Sequence, residues 1–147
     1  MEKVGLATVA TIAAGGVIAL QPPLVARLAD ATGTLPAAAL NFIVGSACLV
    51  VLALILGDAA GFGRFGDVSW YYVIGGGVVG AIYVTTVILA VGSLGAAGVV
   101  AATIAGQLTI SVVIDRLGVL GLEETPITPE RIVGVALLLA GTYLIVR

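Results

Sequence analysis

Histidine is absent from this sequence, and Cys48 is the only cysteine among 147 residues. Without histidine, the side chain that most often moves protons and binds metals at neutral pH is missing. A single cysteine excludes an intrachain disulfide framework and a thiolate metal site. Charge is scarce as well: 10% of residues are Asp, Glu, Lys or Arg, against roughly 25% in a soluble domain. With six basic residues, a net charge of −2 and no basic patch, the chain has nothing with which to hold a nucleic acid backbone. Hydrolysis needs a nucleophile beside a base, and Ser111 near Asp115 is the only local pairing of that kind. No catalytic residue, metal site or cofactor is therefore expected.

What the sequence has instead is apolar residues, 61% of the total, with a mean hydropathy of +1.26. The charges that exist are gathered at Glu2 and Lys3, Arg27 and Asp30, Asp58 to Asp67, Asp115 to Arg131, and Arg147. Between these clusters lie long uncharged runs. About 18 or more apolar residues suffice for a helix to cross the roughly 30 Å hydrocarbon layer. Four runs meet that length: residues 4–26, 35–56, 70–91 and 94–114. A shorter fifth, 132–146, ends at Arg147, whose side chain can reach the interface. The first run exceeds the h-region of a signal peptide, typically about 7–15 residues, and is read as a retained span. The expected fold is thus all-α and transmembrane, a single domain over residues 1–147 in which about five short-looped helices form one bundle.

Several segments fix its geometry. The Gly-rich connection from Gly57 to Asp67 is the longest flexible candidate, and Trp70, Tyr71 and Tyr72 follow it as an aromatic belt that marks a membrane interface. Thr128-Pro129-Glu130-Arg131 predicts a helix beginning at Pro129, because Thr caps, Pro suits the first helical position and Glu complements the N-terminal dipole. With the N-terminus inside, Lys3, Arg64, Arg116 and Arg131 would be cytoplasmic, and Arg27 and Arg147 external. Four against two is a weak topological bias that permits insertion both ways, and an odd number of spans separates the termini.

The polar residues inside the apolar runs are the functional candidates. In Gln21-Pro22-Pro23 the prolines lack an N–H and leave the carbonyls of Ile18 and Ala19 without helical donors. Freed carbonyls at that depth must be buried in protein or face a wet cavity, so the helix break marks either a binding site of the transporter kind or a kink near a helix end. Thr103, Gln107 and Ser111 follow an i, i+4, i+8 spacing on one face, and serve either interhelical hydrogen bonding or a solute pathway. Asn41, Ser46 and Tyr83, with Thr85 and Thr86, can supply partners. Gly76 and Gly80 form a GxxxG, and Gly98, Ala102 and Gly106 continue that spacing; such faces serve helix packing, within the chain or between chains. Asp115 and Arg116 adjoin at the end of the fourth span, placed to pair with each other as an interface anchor. No ionisable side chain lies mid-span, which disfavours proton or cation exchange through a buried carboxylate.

Several of these segments together resemble the small YdcZ-like inner-membrane family of the drug/metabolite transporter superfamily. The matching pieces are Gln21-Pro22 with Ala26 and Leu28, Asn41-Phe42 with Gly45, Gly75-Gly76 with Gly80-Ala81, Tyr83-Val84, and Leu94-Gly95-Ala96-Ala97. Further on, Gly106-Gln107-Leu108 leads to Ser111, Ile114-Asp115, Gly118 and Gly121, then Pro126, Arg131, Gly134 and Gly141. The resemblance implies a multi-pass inner-membrane protein of about five helices that works as an antiparallel pair, with an identical or a related chain, and moves a small solute. Two positions depart from the family pattern. Val25 stands where an Asn is usual, and Arg116-Leu117 replaces the aromatic after Asp115. The Glu of the small multidrug exporters in the same superfamily has no counterpart in the first helix. A non-transporting membrane scaffold or accessory subunit is the alternative; it requires a dry interior in which Gln21, Thr103 and Gln107 are all bonded.

Overall fold

The computed structural model describes residues 2–147. Five α-helices make up nearly all of it: α1 (Glu2–Ile18), α2 (Gln21–Thr32), α3 (Thr34–Leu56), α4 (Trp70–Leu117) and α5 (Pro129–Val146), with a 3-10 helix over Ala59–Asp67. The chain divides into two compact units, Met1–Gly92 and Ser93–Arg147. Four continuous helical stretches are long and apolar enough to cross a membrane: Val4–Thr32, Thr34–Leu56, Trp70–Leu117 and Pro129–Val146.

The first stretch contains both α1 and α2 and runs six residues beyond the expected Ala26. Every residue of α1 from Val4 to Ile18 is exposed. A helix that is apolar on all sides and has no protein around it belongs in lipid or against another chain. Its continuation α2 turns back into α3 through Gly33, whose φ of 87° is easy only for glycine. There a core forms in which Val25 of α2, Ala37 and Ala38 of α3, and Val84 and Ile88 of α4 pack together, with Leu28, Ala29 and Tyr83 around them. Ala37 is 0% exposed. Small residues at this crossing bring α2 and α3 close, which is how helices associate where the lipid is as apolar as the side chains.

At its far end α3 closes in a Schellman motif. Gly57 adopts φ 77°, ψ 15°, its N–H donates to Leu54 O at 3.3 Å, and Asp58 N–H donates to Ala53 O at 2.9 Å. The connection expected to be flexible is instead wound into the 3-10 helix Ala59–Asp67. Five small residues among its nine, Ala59, Ala60, Gly61, Gly63 and Gly66, leave room for three residues per turn.

The third and fourth expected spans are joined in α4. Its 48 residues would extend about 72 Å at 1.5 Å per residue, more than twice the thickness of a bilayer core. Gly95 interrupts it with φ 66°, ψ 172°, a backbone that a side chain would strain. The helix therefore consists of two arms, which meet where the sequence places the short Leu94-Gly95-Ala96-Ala97 connection.

In the second unit, α5 begins at Pro129, as the capping pattern predicts, with Arg131 N–H donating to the Thr128 hydroxyl at 3.4 Å. Thr142 Oγ1 donates to Ala101 O at 3.1 Å and ties α5 to the second arm of α4. The turn between them folds back on the helix end. Thr125 N–H donates to Asp115 O at 2.8 Å, and Gly118, Leu120 and Gly121 all take positive φ.

Candidate functional site: an amide pair between two helices

Gln21 is the first residue of α2, and Pro22 and Pro23 occupy its first turn. Because α1 leads directly into that turn, the two missing N–H groups are the ones that would have bonded Ile18 O and Ala19 O. The ladder tightens to cross the gap: Ala19 N–H donates to Gly15 O at 3.2 Å and Leu20 N–H to Val17 O at 3.1 Å, after which Leu24 N–H restarts the helix on Leu20 O at 3.3 Å. Leu20 keeps a helical φ of −76° and ψ of −22°. Lost hydrogen bonds, with no unwound loop, mark the interruption. The uncharged part of the stretch Val4–Thr32, residues 4–26, is centred at Gly15, so Gln21 lies six residues past its middle, about 9 Å along the axis, towards the end that carries Arg27 and Asp30.

The Gln21 side chain is half-buried, and its Nε2 donates to Oδ1 of Asn41 on α3 at 3.3 Å. An amide carries two N–H donors and a carbonyl with two lone pairs, so one mutual bond leaves each partner capacity for more. Beside Asn41, between α2 and α3, lies a cleft of about 350 Å³ lined by Leu24, Val25, Leu28, Leu40, Val44 and Gly45. Asn41 is its only polar side chain. A larger hollow of about 540 Å³ opens on another face of α2, around Pro23, Arg27, Asp30, Thr34 and Ile88. Its charges belong to a pair, Arg27 Nη1 to Asp30 Oδ2 at 3.5 Å, that is largely exposed at the polar end of the helix. For recognition within the apolar layer, the smaller cleft has the better chemistry: one neutral amide, hydrogen-bonded and flanked by aliphatic walls.

The other expected site residues are dispersed. Tyr83 is half-buried and packs against the core cluster. Ser46 is exposed, and Thr86 donates to Ile82 O of its own helix at 2.8 Å. On the second arm of α4, Thr103 is half-buried and donates to Val100 O at 3.0 Å, while Gln107 and Ser111 are exposed. Of the small residues, Gly80 receives the Phe42 ring, which would lie 3.2 Å from an added Cβ, and Gly98 sits against Leu94 and Val146; Gly76 and Gly106 face open space. Ala102 borders a hollow of about 400 Å³ with Leu139, Thr142, Tyr143 and Arg147. Trp70 is exposed at the start of α4, and Tyr71 and Tyr72 stand beside it with ring centroids 4.3 Å apart.

One expectation is corrected. Asp115 and Arg116 do not pair with each other, because consecutive helical residues point about 100° apart. Asp115 meets Arg131 at 3.4 Å, and Arg116 meets Glu124 at 3.6 Å. Thr142 is the hydrogen-bonding residue that the sequence reading missed. Its only signal was a hydroxyl in the otherwise uncharged later part of α5.

A family model described as "Putative inner membrane exporter, YdcZ" matches residues 6–144. The chain belongs to the YdcZ family. It is accordingly a member of an inner-membrane exporter family, not of an enzyme class. No curated protein and no solved structure matches the chain. Val25, where the resemblance leads one to expect Asn, is 6% exposed in the apolar core, where an Asn without a partner would be costly. The match spans both units, including Gln21 with Asn41 and the stripe of Thr103, Gln107 and Ser111.

Proposed function

We propose that the chain is one subunit of an antiparallel pair that carries a small, neutral or weakly polar solute across the inner membrane, and that Gln21 and Asn41 contact this solute. The observation that carries the proposal is the amide pair itself, held inside an apolar run beside a cleft with no ionisable side chain. Hydrogen-bond capacity without charge suits hydroxyl, amide or carbonyl groups and is a poor counter-charge for a cation.

Three features support pairing with a second chain, identical or related. The helix α1 is exposed on all sides. Gln107 and Ser111 lie on an exposed face of a membrane helix, where an amide and a hydroxyl would otherwise meet hydrocarbon. Finally, α1–α2, α3, the two arms of α4 and α5, read as five crossings, carry little charge bias, the arrangement in which both orientations are accessible. Of the three residues that a dry scaffold would keep bonded, Gln21 and Thr103 are bonded and the exposed Gln107 is not; transport rests on that residue and on the cleft beside Asn41.

Flux through proteoliposomes tests this reading. A panel of small neutral, zwitterionic and cationic solutes should show saturable movement confined to the neutral and weakly polar members, and Asn41→Leu should abolish it. No flux for any solute with folded protein, or flux indifferent to Asn41→Leu, would refute it. For a homomeric pair, tags on each terminus should appear on both faces of the membrane.

A further inference from the structure

The connection between α3 and α4 carries a second chemistry. The 23 residues of α3 extend about 34 Å, enough to cross the hydrocarbon layer, so Gly57 emerges at a membrane surface. The belt residue Trp70 then begins α4. Everything between them is tethered at that surface from both ends.

A 3-10 helix has three residues per turn, so positions i and i+3 eclipse one another. In Ala59–Asp67 this period sorts the side chains onto three ridges. Ala59, Phe62 and Phe65 form one, Ala60, Gly63 and Gly66 the second, and Gly61, Arg64 and Asp67 the third. One ridge is thus aromatic, one is nearly bare and one is charged. The aromatic ridge has little protein over it, since Phe62 is 56% and Phe65 65% exposed.

We infer that Ala59–Asp67 is a membrane-surface helix whose Phe62 and Phe65 insert into the lipid at the headgroup and acyl boundary, while Arg64 and Asp67 stay in water. The occupant is the bilayer in which α3 and α4 already reside, because the segment follows α3 directly and only Val68 and Ser69 separate it from the Trp70, Tyr71 and Tyr72 belt. Amphipathic helices of this kind lie in the interface plane with the apolar face about 5–10 Å deep. The segment carries Arg64 and Asp67, with Asp58 just before it, so its attachment should depend on aromatic burial and not on anionic lipid. Its consequence is a fixed depth for the ends of α3 and α4.

The chain has one tryptophan, which makes depth measurable. In a Trp70→Phe background, a single Trp is placed by Phe62→Trp, Phe65→Trp, Ala60→Trp or Gly63→Trp, and each full-length protein is reconstituted in phosphatidylcholine vesicles with and without brominated acyl chains. Trp at 62 and 65 should emit at shorter wavelength, be quenched by the brominated lipid and be shielded from aqueous iodide, with the reverse at 60 and 63. Iodide quenching at all four positions, or equal lipid quenching at all four, would overturn the inference. Should Trp70→Phe misfold, Cys at the same positions in a Cys48→Ala protein gives the same reading: slow reaction of a water-soluble maleimide at 62 and 65 and fast reaction at 60 and 63. Equal rates would contradict it.

Discussion

Two glutamines sit on apolar helices of this protein under opposite conditions. Gln21, in the first unit, is half-buried and bonds Asn41. Gln107, in the second unit, is exposed and shares its face with the exposed Ser111. The same functional group is thus satisfied inside the chain in one place and presented outward in the other. The difference lies in the neighbouring surface. Small residues at Ala37 and Ala38 let α3 approach α2 closely enough for two short amides to meet. Around Gln107, Gly106 opens to space, and an amide pointing outward there has use only for a second chain or a solute.

The comparison breaks most severely at the packing that creates it. Ala37→Leu forces a larger side chain into a site that is 0% exposed and should cost about 1–3 kcal/mol. It should lower the thermal midpoint in detergent and separate Gln21 from Asn41. Next in size is the pair itself. Single Gln21→Leu and Asn41→Leu changes each leave one amide without its partner and should cost about 1 kcal/mol, and the double-mutant cycle should return a coupling near 0.6 and no more than about 1.7 kcal/mol. A coupling of zero would mean that the amides do not interact. The Asp115–Arg131 bridge, whose side chains are 39% and 37% exposed, offers a charged control. Arg131→Gln should cost no more than about 1 kcal/mol and less at high salt. Smallest is Gln107→Leu, which should alter the stability of the isolated chain by less than about 0.5 kcal/mol while reducing solute flux and association with the second chain. A large stability loss from that change alone would erase the contrast.

Much of this architecture is legible in the sequence because lipid imposes simple demands. Charges must leave the hydrocarbon layer, so the runs ending at Leu56 and starting at Trp70 delimit helices to within a residue. The Thr128 cap and Pro129 likewise place the start of α5. Other features depend on information that spacing does not carry. Nothing between Val91 and Leu94 announces that the helix continues unbroken to Gly95, because an apolar stretch reads alike whether it is one helix or two. The extension of α2 past Arg27 and Asp30 was hidden for a related reason: charged residues end a membrane span without ending a helix. At the site, Gln21 and Asn41 are recognisable separately as polar residues in apolar runs, but their pairing follows from the turn at Gly33 and the Ala37–Ala38 contact. The partners of Asp115 and Arg116 depend in the same way on the fold-back through Gly118, which brings Glu124 and Arg131 to the helix end.

Accessibility at Asn41 tests the central claim most directly. In a Cys48→Ala protein, which removes the single native thiol, Asn41→Cys is compared in native-like vesicles with Ile43→Cys, about 200° round the same helix and 63% exposed. A small water-soluble thiol reagent requires a hydrated thiolate. The account predicts that position 41 reacts, that a transported solute slows the reaction, and that position 43 stays inert. A position 41 as unreactive as position 43 would place the amide pair in a dry helix contact and contradict a solute pathway there.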